Sequence, residues 1–180
     1  MSVDEMLERL ENEGRLVGYP IPEGFEQKRV LYLTAALLQE FEDRNSSLNF
    51  FGQMRAARIV FNRWVTGGPV VVRIGGRGAG ALLARLEPPP DDIWEFRVTE
   101  PKPQLRIFAR FAKQDVLVAT AAANRDRLGT AFWRSNKQSK AWSEAMYDCL
   151  SEWNRLFGGT PAFRGNSVGD YVSENCIGSE

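Results

Sequence analysis

The chain has 180 residues, 43% of them hydrophobic, with eleven Phe and five Trp; this fits one globular domain with a substantial core and excludes wholesale disorder. Its 23 Lys/Arg balance 23 Asp/Glu, yet sixteen of the basic and only seven of the acidic residues lie between Arg55 and Lys140, so a basic middle separates acidic ends. Histidine is absent, which excludes Ser-His-Asp and Cys-His nucleophile systems, HExxH metal sites and imidazole acid–base chemistry.

Residues 1–14 are too acidic for a signal peptide, and no apolar run is long enough for a membrane span. The two cysteines, Cys149 and Cys176, have no CxxC spacing, so a soluble, cytoplasmic protein without a membrane partner is expected. Apolar spacing predicts helices over 4–12, over 26–43 (Val30, Leu31, Leu37, Leu38, Phe41) and over about 48–65, the last ending at Gly67-Gly68-Pro69. Strand candidates then follow at Val70–Val72, Ala81–Leu86, Ile93–Val98, Leu105–Phe111 and Val116–Thr120. The glycine cluster Gly75–Gly80 lacks the Gly-Lys-Ser/Thr ending of a phosphate loop and reads as a hairpin or bulge turn with Arg77 at its tip. A long amphipathic helix is predicted over Ser139–Phe157, closed by Gly158-Gly159. The expected fold is a single α+β domain: an antiparallel β-meander of four to five strands packed against N-terminal helices and one long C-terminal helix. Its regions are helical 1–66, sheet 69–122, helix 139–157 and an irregular tail 158–180 in which only Tyr171-Val172 offers an anchor.

The segment 93–111 carries the most information. Side chains alternate across a strand, so Trp94, Phe96 and Val98 share one face while Glu95 and Arg97 share the other; likewise Leu105, Ile107, Ala109 and Phe111 oppose Arg106, Phe108 and Arg110. A simple turn places Arg97 opposite Arg106, a like-charge pair that costs stability unless an anion or a carboxylate such as Glu95 lies between them. An Arg-Phe-Arg face offers phosphate contacts and a stacking platform for single-stranded nucleic acid; a solvated face with Glu95 ion-paired to the arginines is the other reading. Further cations that extend such a surface are Arg77, Lys113, Arg125, Arg127, Arg134 and Lys137. Neither Asp91 nor the turn Glu100-Pro101-Lys102 presents the rigid carboxylates of a metal-dependent nuclease, and no metal or cofactor is expected. Cys149 sits in an apolar stripe with no adjacent base and reads as core.

The order Trp94-Glu95-Phe96-Arg97, Leu105 to Phe111, Val116 to Thr120, basic residues and a helix resembles the sheet region of RelE/HigB-like toxins over about residues 80–157. That family consists of small α+β proteins that cleave messenger RNA, often on the ribosome, with Arg, Lys and Tyr side chains and no metal. The resemblance implies catalytic roles for Arg97, Arg106 and Arg110, places Arg125 and Arg127 where members carry a lysine pair, and leaves Tyr171 as the candidate tyrosine.

The function expected is therefore RNA or nucleic-acid binding on a basic sheet face, extended by the resemblance to a metal-independent ribonuclease toxin. RNA or the ribosome is the partner in that case. The alternative is a non-catalytic protein-interaction module, such as a phage- or mobile-element-encoded inhibitor, whose partner is a protein, either an antitoxin or a target. A last expectation is that the acidic helix 4–12 lies across the basic surface as a mask.

Overall fold

A computed structural model describes residues 1–46, 52–75, 80–86, 91–129 and 139–178. The described strands are β1 (Leu16–Gly18), β2 (Val30–Thr34), β3 (Val70–Arg73), β4 (Leu83–Arg85), β5 (Trp94–Val98), β6 (Leu105–Lys113), β7 (Val116–Asn124) and β8 (Cys176–Gly178). The helices are α1 (Val3–Asn12), α2 (Ala35–Glu42), α3 (Gln53–Val65), α4 (Lys140–Phe157) and α5 (Val168–Tyr171). All eight strands form one sheet in the order β1-β2-β7-β6-β5-β4-β3-β8.

This corrects the meander of four to five strands. The antiparallel run β4-β5-β6-β7 is present, but parallel pairs β2/β7, β3/β4 and β3/β8 extend it into a mixed sheet. The N-terminal region is not wholly helical either. Residues 30–34 form β2, whose Leu31 and Leu33 face one side while Val30 and Tyr32 face the other. A short apolar run fits either period, and here pairing with Val116–Ala119, far away in sequence, selects the strand. Thr34 then caps α2, its Oγ1 accepting from Leu37 N at 3.2 Å. The tail contains α5 and β8, with β8 pairing in parallel beside β3. Strands β3 and β4 also pair in parallel, so the glycine cluster between them does not close the expected hairpin; its residue Arg77 lies outside the described residues.

Both sheet faces are covered, because nearly every strand buries both parities of its side chains. On the α3 face, Leu31, Leu33, Trp94, Phe96, Ile107 and Phe111 pack on Phe61 and Trp64 of α3, Phe41 of α2 and Tyr171 of α5. The rings meet edge to face or tilted, with Trp94 4.6 Å and Phe111 4.9 Å from Tyr171. On the α4 face two clusters lie side by side. Leu7 and Leu10 of α1 pack with Val116, Val118, Trp153 and Phe157, and Met146 and Cys149 of α4 pack on Ile93 and Phe108. Helix α4 is amphipathic as expected, capped by Ser139 and closed by Gly158 at φ 60°.

Cys149 is fully buried at the centre of this second layer, and burial pushes its thiol up to about 11 from an ordinary 9.0, against the opposing influence of the neighbouring Thr120 hydroxyl and the charge of Arg110. The folded protein therefore keeps a proton that the unfolded chain releases, and stability is expected to fall as pH rises from about 9 to about 11, by up to about 1.4 kcal/mol per pH unit. Urea titrations of the wild type and Cys149→Ala check this. The wild type should show the steeper loss across that window; equal slopes would assign it to other groups.

Candidate functional site

The β5–β6 ladder places Arg97 directly opposite Arg106 and Val98 opposite Leu105. Glu95, buried beside them, bridges the pair: Arg97 Nε donates to Oε1 at 2.6 Å, and Arg106 Nε lies 3.2 Å from Oε2, an ionic contact outside hydrogen-bonding geometry. Arg106 is held further by Leu105 O and Gln104 Oε1, each accepting at 3.2 Å. Burial pushes its guanidinium below the ordinary value, Glu95 opposes this, and Arg97 and Arg125 depress it again. Arg125 enters from the end of β7, its guanidinium 5.3 Å from the Trp142 ring and donating to Gly129 O at 2.5 Å.

A fourth cation joins from β3, a strand the sequence predicts at Val70–Val72 without marking the arginine at its end. Arg73, buried at the end of β3, pairs in register with Ala84, which pairs with Glu95, so it projects from the same sheet face two strands away. Burial pushes its guanidinium down, Arg97 reinforces that shift and Glu95 opposes it. The signal was present in Val70-Val71-Val72-Arg73: strand parity puts Arg73 opposite to the apolar Val70 and Val72. Among the described residues Arg73, Arg97 and Arg106 thus stand around the Glu95 carboxylate near the hairpin end of the sheet, with Arg125 beside Arg106. The side chains of Arg97 and Arg106 are 16% and 10% exposed, so the cluster is recessed but reaches solvent.

Other expected site residues are placed elsewhere. Arg110 lies at the opposite end of β6 under α4, 5.0 Å above the Trp153 ring and donating to Asp91 O at 2.5 Å. Phe108 is fully buried, edge to face with Trp142, and presents no open ring to a base. Lys113 ends β6 in an ion pair with Asp4 of α1. Arg127 is exposed in the turn after β7, near the cluster in sequence. Arg134 and Lys137 lie outside the described residues. Tyr171 is buried on the α3 face, across the sheet from Arg97 and Arg106, its hydroxyl 3.1 Å from Gly165 O and 3.4 Å from Asp92 Oδ1. Helix α1 docks through Leu7 and Leu10 over Val116 and Val118, beside β1 and β2; Asp4 meets Lys113, and Glu95, not α1, is the carboxylate at the arginines.

No helix among the described residues is long and apolar enough to cross a membrane. No protein-family profile matches the chain, and neither the curated proteins nor the solved structures yield a match.

Proposed function

We propose that the chain binds RNA through the arginine end of the α4 face, with Arg97, Arg106 and Arg125 receiving phosphate oxygens and Arg127 extending the surface at its rim. The observation that carries this reading is the convergence of Arg73, Arg97 and Arg106 around Glu95, with Arg125 beside Arg106. Guanidinium forks match phosphate geometry, and a recessed cationic cluster holds a phosphate in a lower dielectric than the open surface does. Binding without cleavage fits best. The tyrosine considered for proton transfer lies across the sheet, and Arg110 is engaged with Trp153 and Asp91. The RelE/HigB-like resemblance is a reason to assay cleavage beside binding.

The test is the salt dependence of binding to a short single-stranded RNA. Wild type should lose affinity linearly in log salt, and Arg97→Ala and Arg127→Ala should each reduce the slope by about one phosphate contact. Arg110→Ala, with folding verified, should leave the slope unchanged. RNA recovered in EDTA, with and without ribosomes, should be intact. A salt-insensitive interaction, or none, would overturn the reading.

A further inference from the structure

The charge sorting of the sequence is only partly absorbed by the arginine cluster. Helix α3, Gln-Met-Arg-Ala-Ala-Arg-Ile-Val-Phe-Asn-Arg-Trp-Val, contains no acidic residue. Its buried stripe turns inward, and Arg55, Arg58 and Arg63 stand exposed on the outer side with Ile59, itself 60% exposed, among them. None of these three arginines makes an ion pair among the described residues. The span from Arg55 to Arg63 is about 12 Å along the axis.

The other side of the molecule carries the complement. Asp4, Glu8 and Glu11 of α1, at i, i+4 and i+7, line one wall of an open groove of about 150 Å³ between α1 and the sheet, with Leu7, Val30 and Val116 as its apolar lining. Glu8 and Glu11 are exposed, and the carboxylates span about 10 Å. Lys113 is paired with Asp4, leaving Glu8 and Glu11 to face the groove. The groove is open to solvent with a mixed lining, so a sec-butyl side chain enters from its mouth and meets the aliphatic atoms of Leu7, Val30 and Val116. Burial pushes the Tyr32 phenol at the groove upward, and Glu11 and Asp4 push it further, as expected of a negative local field.

We propose that a second copy of this chain occupies the groove: Ile59 of one copy seats against Leu7, Val30 and Val116 of the next, while Arg55, Arg58 and Arg63 face Glu8 and Glu11. An apolar knob within a charged rim meets an apolar floor within a rim of opposite sign, and the two patches match in length. An RNA backbone would gain nothing from covering Ile59, which favours the protein occupant. Because α3 and α1 lie on opposite faces of the sheet, the contact is head-to-tail and propagates instead of closing as a symmetric dimer. A net charge of zero leaves no overall repulsion to oppose it.

Sedimentation velocity across a concentration series tests this on the full chain. At low ionic strength the wild type should grow beyond dimer with concentration and return to monomer at about 0.5 M salt, where screening is short-ranged. Arg55→Glu with Arg58→Glu should be monomeric at low salt, as should Glu8→Lys with Glu11→Lys; the chain carrying all four reversals should associate again. Ile59→Asp should weaken association by about tenfold. All substituted positions are exposed, so folding is not at stake. A wild type that stays monomeric at low salt overturns the proposal, as does an Arg55→Glu/Arg58→Glu variant that associates normally. Loss of RNA binding in that variant, with a monomeric wild type, would assign the α3 stripe to nucleic acid instead.

Discussion

Arg29→Ala is expected to lower the unfolding free energy by about 4 kcal/mol and to release the C-terminal segment from the sheet. Arg29 is 2% exposed and lies 5.0 Å over the Trp64 ring. It donates to Gly68 O at 3.1 Å and to Glu174 O at 2.5 Å, and its Nε lies 3.8 Å from Asp115 Oδ1. Burial pushes its guanidinium below the ordinary value, with Asp115 opposing that shift. One side chain therefore ties the end of α3, the β6–β7 turn and the tail together, since Asp115 also accepts from Ser173 N at 3.0 Å and its own N–H reaches Tyr171 O at 2.9 Å. Truncation removes the shared partner of the Gly68 and Glu174 carbonyls and of the Asp115 carboxylate at once. Urea unfolding gives the energy, and hydrogen exchange should show amides of α5 and β8 losing protection first. Arg29→Lys should rescue little, because a single ammonium does not span the same acceptors. A loss below about 1 kcal/mol, with the tail still protected, would show the clamp to be dispensable.

Glu95→Gln is the second large effect, with an expected loss of about 3 kcal/mol. The substitution keeps the shape and removes the carboxylate that bridges Arg97 and Arg106 across adjacent strands. Two guanidiniums then face one another in register within a mostly buried layer. Inorganic phosphate should restore part of the loss by binding the folded state, and should do so more strongly than in the wild type, where its general effect on burial provides the reference. Equal phosphate stabilisation of both proteins would show that the cluster does not take an anion when its carboxylate is removed.

The hairpin was legible because alternation over Ile93–Val98 and Leu105–Phe111 assigns every side chain to a face, and the opposition of Arg97 and Arg106 with Glu95 between them followed from parity and a simple turn. Helix α4 was legible from its apolar spacing. What parity does not reveal is what covers a face. Phe108 looked like a platform until α4 and Trp142 were laid upon it, and Arg110 looked like a partner of Arg106 until Trp153 and Asp91 engaged it. Strand β2 was misread as helix because its partner β7 lies far along the chain, and long-range pairing overrides local period. Arg29 carried no local signal, since all its partners come from other segments.

The proposed RNA site brings phosphates to the arginines at the hairpin end of the α4 face. Titrating the wild-type protein with a short single-stranded RNA while following arginine Nε–H resonances by NMR addresses it directly. The Nε–H signals of Arg97, Arg106, Arg125 and Arg127 should move together along one saturating curve that weakens with salt, while those of Arg29 and Arg110, locked into buried contacts, stay in place. Shifts confined to Arg55, Arg58 and Arg63, or no shifts at all, would contradict it.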